Sequence, residues 1–461
     1  MNRYLRIYPP LAGLIIILIA SCKVTHPYQR PALDMDGLYR EIVTKDTTTI
    51  ADLHWKEMFT DTLLQKLIGE GIRHNLDLKA AYSRIRQSEA YFEQTRLAFF
   101  PTLGTDASVT TSSSSNPGIL GKTVIPYQYQ AELTTSWEAD LWGKLSSAKR
   151  ANLASLLQAE ASAKAVQTTL VSNIATNYYR LLALDEQLVI TRESLKNWQT
   201  TVDIMKKLKT ADVVTGAAVV QSESSKFAVA VTIPDLMQSI RETENGLNLL
   251  LGRAPAPIER SQFAQIHPLA LLQTGVPVQL LANRPDVQAA EYNFKNAFEL
   301  SNVARTYFYP SLTISASGGY NSYSSFFGPG SWISSLTAGL TQPIFNRGAN
   351  KTRLKVAMEQ QQQAVLSFQS AVLIAGQEVS NAMYSYQRAS EKRITRASQL
   401  ENLEKSVKYT QALVRYGSAN YTEVLTAQQS YLAAQLSQVN DQLQQLQAVV
   451  LLYRALGGGW K

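Results

Sequence analysis

Residues able to do chemistry are few in this chain and scattered. The four histidines, His26, His54, His74 and His267, stand far apart and have no metal-ligand spacing. No Ser-His-Asp order and no carboxylate pair stands out from ordinary helix-surface charge. Gly457-Gly458-Gly459 closes a helical pattern and reads as a stop, not a phosphate cradle. These residues predict no enzyme, no cofactor and no metal site.

The one cysteine is different. Arg3 and Arg6 precede an apolar run from Leu11 to Ala20, which ends in Ile19-Ala20-Ser21-Cys22. The run is short for a bilayer span and suits a signal peptide. Small residues just before a cysteine are what a lipoprotein signal peptidase accepts. Residues 1–21 are therefore expected to be a lipoprotein signal peptide, with Cys22 the acylated start of the mature chain. The competing reading is a buried thiol. With Cys22 acylated, no thiol is left for disulfides, metal thiolates or nucleophilic catalysis.

Composition narrows the class further. The 461 residues carry a formal charge of +8 without a Lys/Arg block, which argues against nucleic acid as a partner. No other segment approaches the apolar length of a transmembrane helix, so a membrane role requires lipid, strands or both.

The chain is written twice. Asp77 to Ser108 lies on Asp286 to Ser317 at an offset of 209, with identities that include Arg96/Arg305, Phe99/Phe308, Pro101/Pro310 and Leu103/Leu312. Leu141-Trp142-Gly143-Lys144 then meets Ile344-Phe345-Asn346-Arg347 at 203, and Leu251-Gly252 meets Leu456-Gly457 at 205. The second copy is thus expected to lack about six residues in a loop. A unit this long is a structural half, not a solenoid repeat. Residues 22–272 and 273–461 are read as the two halves.

Each half reads helix, strand, loop, strand, very long helix, turn, long helix. Strands are expected at about 102–111, 127–137, 311–320 and 332–341. In the second, Tyr127, Tyr129, Ala131, Leu133, Thr135 and Trp137 share one face and Gln128, Gln130, Glu132 and Thr134 the other. Such alternation over about ten residues suits a membrane β-barrel strand. Aromatics cluster at both strand ends: Phe99, Phe100, Trp142, Tyr309 and Phe345 at one, Tyr127, Tyr323, Phe326 and Trp332 at the other. Two girdles are expected where rings meet headgroups, whereas a soluble sandwich would scatter its aromatics through a core. Four strands cannot close a barrel, and lipid tolerates no open edge. Several copies must pool strands, and small polar inward residues favour three copies and about twelve strands over two and about eight.

The helices are the larger part. After Lys144 the chain runs without proline to about Leu208, and roughly 60 helical residues would extend about 90 Å. The second half repeats this over about 349–414. Returning helices are expected at about 217–251 and 421–456. Leu432, Leu436, Val439, Leu443, Leu446, Val450 and Tyr453 follow heptad spacing, antiparallel across a short turn. Opposite faces are glutamine-rich, among them Gln428, Gln429, Gln435 and Gln442. Such a face is either solvated or the wall of a water-filled tube. Asn283-Arg284-Pro285-Asp286 reads as a structural helix start. The fold class is mainly α with a membrane β-barrel.

Taken in order, several blocks resemble the TolC-like outer-membrane factors, in particular the NodT-type efflux lipoproteins that partner resistance-nodulation-division pumps. They are Trp137 to Lys144, Pro277 to Asp286, Gln342-Pro343-Ile344-Phe345 and Leu452 to Trp460. The resemblance spans Cys22 to Lys461. It implies a homotrimer with a twelve-stranded barrel in the outer membrane and a periplasmic α-barrel of long antiparallel coiled-coil helices. It implies lipid anchoring, most of the mass in the periplasm, and docking on a periplasmic adaptor bound to an inner-membrane pump. Function is then that of a passive exit duct. The rivals are a duct for type I protein secretion and a periplasmic adaptor lipoprotein.

In such proteins two helix turns per chain form the periplasmic tip. Here they are Lys209 to Thr215, with Thr210, Ala211 and Asp212, and Arg415 to Tyr421, with Arg415, Tyr416, Gly417 and Ser418. The second matches the family closely, while the first lacks its glycine. Family carboxylates ring a constriction just past the second turn. Glu423 fills one such position and Thr426 occupies the other, so the resemblance gives a gate with one acidic tier. The bland reading of Glu423 is a solvated helix charge.

Overall fold

The computed structural model describes residues 24–33, 35–40, 47–111, 127–267, 274–275, 277–323, 331–415 and 421–461. Cys22, Tyr416, Gly417 and Ser418 lie outside them. The main elements are α1 (Thr62–His74), α2 (Leu76–Leu97), β1 (Thr102–Thr111), β2 (Tyr127–Ala139), α3 (Lys144–Thr210), α4 (Gly216–Ala230) and α5 (Thr232–Leu250). The second half supplies α6 (Pro285–Thr306), β3 (Ser311–Ser322), β4 (Trp332–Thr341), α7 (Ala349–Arg415) and α8 (Tyr421–Ala455). Short helical turns add Trp55–Met58 and Leu280–Asn283.

Two compact units share the chain. The first holds Arg84–Ala159, Ala289–Phe368 and the described part of Met1–Ala32. Its centre is one antiparallel sheet in the order β1-β2-β3-β4. Register sorts the side chains by chemistry. Leu103 faces Thr135, which faces Ala316, which faces Leu336. Two rungs along, Ala107, Ala131, Tyr320 and Trp332 form the same face, with Tyr320 and Trp332 edge to face at 5.4 Å. Leu103, Val109, Leu133, Trp332, Leu336 and Leu340 on this face are all exposed. The other face carries Asp106, Glu132, Gly319 and the apolar Ile333 in one row and Gly104, Thr134, Ser317 and Ser335 in another. So broad an exposed apolar face does not suit water.

Where strands meet helices, both halves turn on a glycine. Gly143 and Gly348 have φ of 76° and 81°, and their carbonyls accept from Ser147 and Thr352 as α3 and α7 begin. This pairing of halves has an offset of 205. The hairpins agree, since Thr102 opposes Ser136 as Ser311 opposes Thr341, offsets of 209 and 205. The expected match of Leu141-Trp142-Gly143-Lys144 with Ile344-Phe345-Asn346-Arg347 is therefore two residues out of step, because similar side chains there do not occupy equivalent backbone positions.

The second unit holds Leu33–Ser83, Glu160–Gln288 and Gln369–Lys461. Its helices bury heptad positions such as Val372, Ala375 and Val379 on α7 and Val439, Leu446, Val450 and Tyr453 on α8. Buried Tyr178 of α3 has its hydroxyl pushed up to about 12, chiefly by desolvation, so it stays protonated. It donates to Asp61 at 2.7 Å and accepts from the Ser261 amide at 3.0 Å. One expectation fails: the returning helix of the first half is not continuous from 217 to 251. It breaks at Val231 between α4 and α5. Pro234, in the first turn of α5, has no N–H for the Ala230 carbonyl.

Duplication is visible here in matched contacts. At Gly252 (φ 68°) a Cβ would strike the His74 carbonyl, and at Gly457 (φ 94°) it would strike the Asn283 carbonyl. Asn75 donates to the Leu250 carbonyl at 2.9 Å, and Arg284, its counterpart, donates to the Ala455 carbonyl at 2.8 Å. Arg284 does more than Asn75. Its guanidinium grips Asp286 through Nε and Nη2 at 3.0 and 2.5 Å and reaches Glu378 at 2.6 Å, and Glu378 also meets Arg454 at 3.2 Å. Burial opposes ionisation of Asp286, but the hydrogen bonds and charge of Arg284 outweigh it and hold its pKa below the usual aspartate value. Arg284→Ala would leave Asp286 without its cation and the Ala455 carbonyl without its donor, while Glu378 keeps Arg454. Because Asp286 is half exposed, the change should cost about 2–3 kcal/mol. Urea unfolding in detergent checks this, and a loss below about 1 kcal/mol would show that the clamp bears little. The Asp286 contribution is full above its unfolded pKa and is lost as pH falls through the depressed folded value.

Candidate docking turns and gate

At the end of α3, Thr210 is the last helical residue and its Oγ1 donates to the Lys206 carbonyl at 3.0 Å. Asp212 then adopts φ 54°. Its amide donates to the Lys209 carbonyl at 3.0 Å, and the Val213 amide donates to the Leu208 carbonyl at 2.9 Å. This is a Schellman closure with aspartate in the left-handed position that glycine usually takes. Thr210, Ala211 and Asp212 are all exposed. Thr215 then caps α4, its Oγ1 accepting from the Ala218 amide at 3.4 Å. Across this hairpin, exposed Lys206 and Glu223 pair at 2.8 Å. Their mutual hydrogen bond raises the lysine pKa and lowers that of the glutamate.

The other turn joins α7, which ends at Arg415, to α8, which begins at Tyr421. The two hairpins are packed together beneath the turns. Met205 of α3, Val219 of α4, Val414 of α7 and Val424 of α8 form one buried cluster, with Leu208 and Tyr421 against it. Trp198, Val229 and Leu425 form the next layer. Val424, Leu425, Ala427 and Gln428 of α8 are buried, whereas Glu423 and Thr426 are exposed on its other side. Glu423 sits in the first turn of α8, where the helix dipole favours a carboxylate. Thr426 Oγ1 is turned to the Thr422 carbonyl at 2.9 Å.

Gln428 corrects the expectation of a polar glutamine stripe. It is only 7% exposed, and its amide donates to Thr201 of α3 at 2.9 Å. Thr201 in turn donates to the Asn197 carbonyl at 3.0 Å. A buried hydrogen-bonded pair thus ties the two hairpins together beneath the turns, beside these two apolar layers. Side-chain type alone could not separate Gln428 from exposed Gln429, but Gln428 shares the helix face of Val424 and Leu425. Among the described residues, no group of three or more His, Cys, Asp or Glu could hold a metal, and no helix is long and apolar enough to cross a membrane.

With the geometry established, comparison places the chain. The model of the outer membrane efflux protein family matches residues 67–253 and 276–458, one match in each half, and the chain belongs to that family. It is 30% identical over 461 residues to the probable outer membrane lipoprotein SilC of Salmonella typhimurium, covering 96% of this chain and 97% of that one. It is 27% identical to the toluene efflux pump outer membrane protein TtgF of Pseudomonas putida, covering 98% and 96%. Among solved structures, CusC, described for its transmembrane channel formation, aligns with a TM-score of 0.85 at 26% identity over 95% of this chain and 100% of that one. The open state of the MtrE channel of Neisseria gonorrhoeae shares the fold at a TM-score of 0.85 and 24% identity, over 95% and 99%. The chain is an outer-membrane efflux channel protein, with the α-barrel and β-barrel fold of its class.

The Asp212 conformation makes a local prediction. Asp212→Gly should leave the turn as stable or up to about 1 kcal/mol more so, and Asp212→Val should weaken it by about 1–2 kcal/mol. Amide exchange at residue 212 and at Val213 reads both, and equal rates in the two variants would contradict the left-handed closure.

Proposed function

We propose that three copies of this chain form the exit duct of a tripartite efflux system, conducting substrates passively out of the periplasm. The observation that carries this reading is the sheet. Its exposed apolar face suits lipid, its polar face suits a water-filled lumen, and among the described residues β1 and β4 leave both edges unpaired. Three copies would pool twelve strands. Residues 1–21 act as the signal peptide, Cys22 carries the acyl chains, and 22–272 and 273–461 are the two repeats. SilC, itself called a lipoprotein, supports the anchor.

The turns at Thr210, Ala211 and Asp212 and at Arg415, Tyr416, Gly417 and Ser418 dock on a periplasmic adaptor. A resistance-nodulation-division pump in the inner membrane supplies the energy. Glu423 provides the acidic tier of the gate and Thr426 a neutral one, which the exposure of both side chains supports. Three Glu423 carboxylates around one axis attract cations and repel anions. CusC is named for cation efflux and TtgF for toluene. A passive duct carries what the pump delivers, so specificity belongs to the pump.

Purified protein in planar bilayers tests the gate. Glu423→Ala should conduct with weaker preference for cations and weaker block by multivalent cations than the parent. Unchanged selectivity would remove Glu423 from the conduction path, and no conductance from either protein would remove the duct.

A further inference from the structure

Charge is spread unevenly where the sheet meets the helices. Between Glu299 and Glu359 the chain carries Arg305, Arg347, Lys351, Arg353 and Lys355 and no carboxylate. All five lie outside the strands, Arg305 before β3 and the others after β4. The first turn of α7 holds no acidic residue, so the cations there stand against the helix dipole. Arg347 is held at φ 56° ahead of Gly348 at 81°, a backbone that gives arginine no advantage. Local rules do not favour basic residues at either place, so what favours them lies outside these elements.

The two halves differ in which cations are satisfied. In α2, Arg96 pairs with Glu93 one turn earlier at 2.9 Å. Their counterparts in α6, at the offset of 209, are Arg305 and Asn302. Asn302 is spent on the N-terminal segment. Its Oδ1 accepts from the His26 amide at 3.0 Å, and its Nδ2 donates to the His26 carbonyl at 2.9 Å. Glu299, one turn further back, is held by Arg150 at 2.8 and 3.0 Å. Arg305 is thus left without a carboxylate, and its Nε is buried with no hydrogen-bond partner among the described residues. A buried charged donor is costly until an acceptor reaches it. Asn350 of α7 donates to the Tyr307 carbonyl at 2.7 Å, which brings the start of α7 against the end of α6. Arg353 is engaged there, over the Tyr307 ring at 3.9 Å. Arg347 and Lys351 are exposed and pair with no carboxylate among the described residues. Phe308 and Phe345, near them in the chain, are 45% and 85% exposed.

We propose that Arg305, Arg347 and Lys351 form a binding patch for the phosphate of an anionic phospholipid. This rests on the membrane reading of the sheet and names the lipid that its helix-side rim selects. The apolar face of β3 and β4 ends at the opposed Leu312 and Leu340, and the patch lies a few residues beyond, at the depth of headgroups. Exposed rings there enter the acyl boundary while the cations meet the phosphate layer. A guanidinium can donate to two phosphate oxygens at once, which would satisfy Arg305 Nε. A zwitterionic headgroup offers the same phosphate, but its ammonium offsets the attraction of three cations. The first half has no such patch, because Glu93, Glu138 and Asp140 are interleaved with its cations.

Full-length protein extracted from outer membranes and reconstituted in phosphatidylethanolamine vesicles tests this. The vesicles carry a trace of spin-labelled phosphatidylglycerol or of spin-labelled phosphatidylcholine, and electron spin resonance reads the fraction of each probe immobilised on the protein. Phosphatidylglycerol should be preferred by about three- to tenfold at low salt, and the preference should shrink at high salt. The triple variant Arg305→Gln, Arg347→Gln, Lys351→Gln should lose the preference, and Arg96→Gln should keep it. The double variant Arg347→Glu, Lys351→Glu leaves the half-buried Arg305 in place and should lose it too. Equal immobilisation of both probes by the parent, a preference that survives in the triple variant, or an equal loss in Arg96→Gln would overturn the patch. Exchanging chloride for inorganic phosphate at equal ionic strength should leave the preference intact, and its loss would assign the patch to a free oxyanion instead of a lipid. Protein that does not enter the vesicles at all would refute the membrane reading itself.

Discussion

A strand in hydrocarbon must pair every backbone N–H and C=O, and among the described residues this sheet leaves one row unpaired along β1 and another along β4. Water would satisfy those rows for a soluble sheet. The exposed leucines and aromatic rings of the apolar face rule out that solution, because the same strands that need partners also need lipid. Satisfying both at once requires other chains.

The long helices follow from the same arrangement. The first half closes its hairpin with a short turn, residues 416–420 join α7 to α8 in the second, and the packing at these helix ends is shared between halves through Met205, Val219, Val414 and Val424. Buried Thr201 and Gln428 add a directional link, because two polar side chains that satisfy each other in an apolar layer hold one helix register against another. The exposed side of α8 is thereby left free for Glu423 and Thr426. Arg284 performs a comparable task elsewhere, replacing a single amide contact of the first half with a charged clamp on Asp286 and Glu378.

Much of this was legible in the sequence, for reasons that differ by element. Strand faces were readable because alternation has a period of two and the side chains differ sharply, as with Tyr127 to Trp137. Long helices were readable because proline is absent and heptads persist. The break at Val231 was missed because Pro234 lies in a pattern that otherwise continues. The two-residue slip at Trp142 follows from likeness of side chains that do not share a backbone position, since the backbone equivalence runs through Gly143 and Gly348. Gln428 was misplaced because burial of a polar residue depends on its partner, here Thr201, more than two hundred positions away. The Asp212 turn showed only as a missing glycine, and its left-handed conformation needed coordinates.

If the four strands are one third of a barrel, the detergent-extracted particle holds three chains. Light scattering with the detergent contribution subtracted gives its mass, and three chains per particle are expected. A folded monomer would mean that β1 and β4 find no partners, and the duct would fall with them.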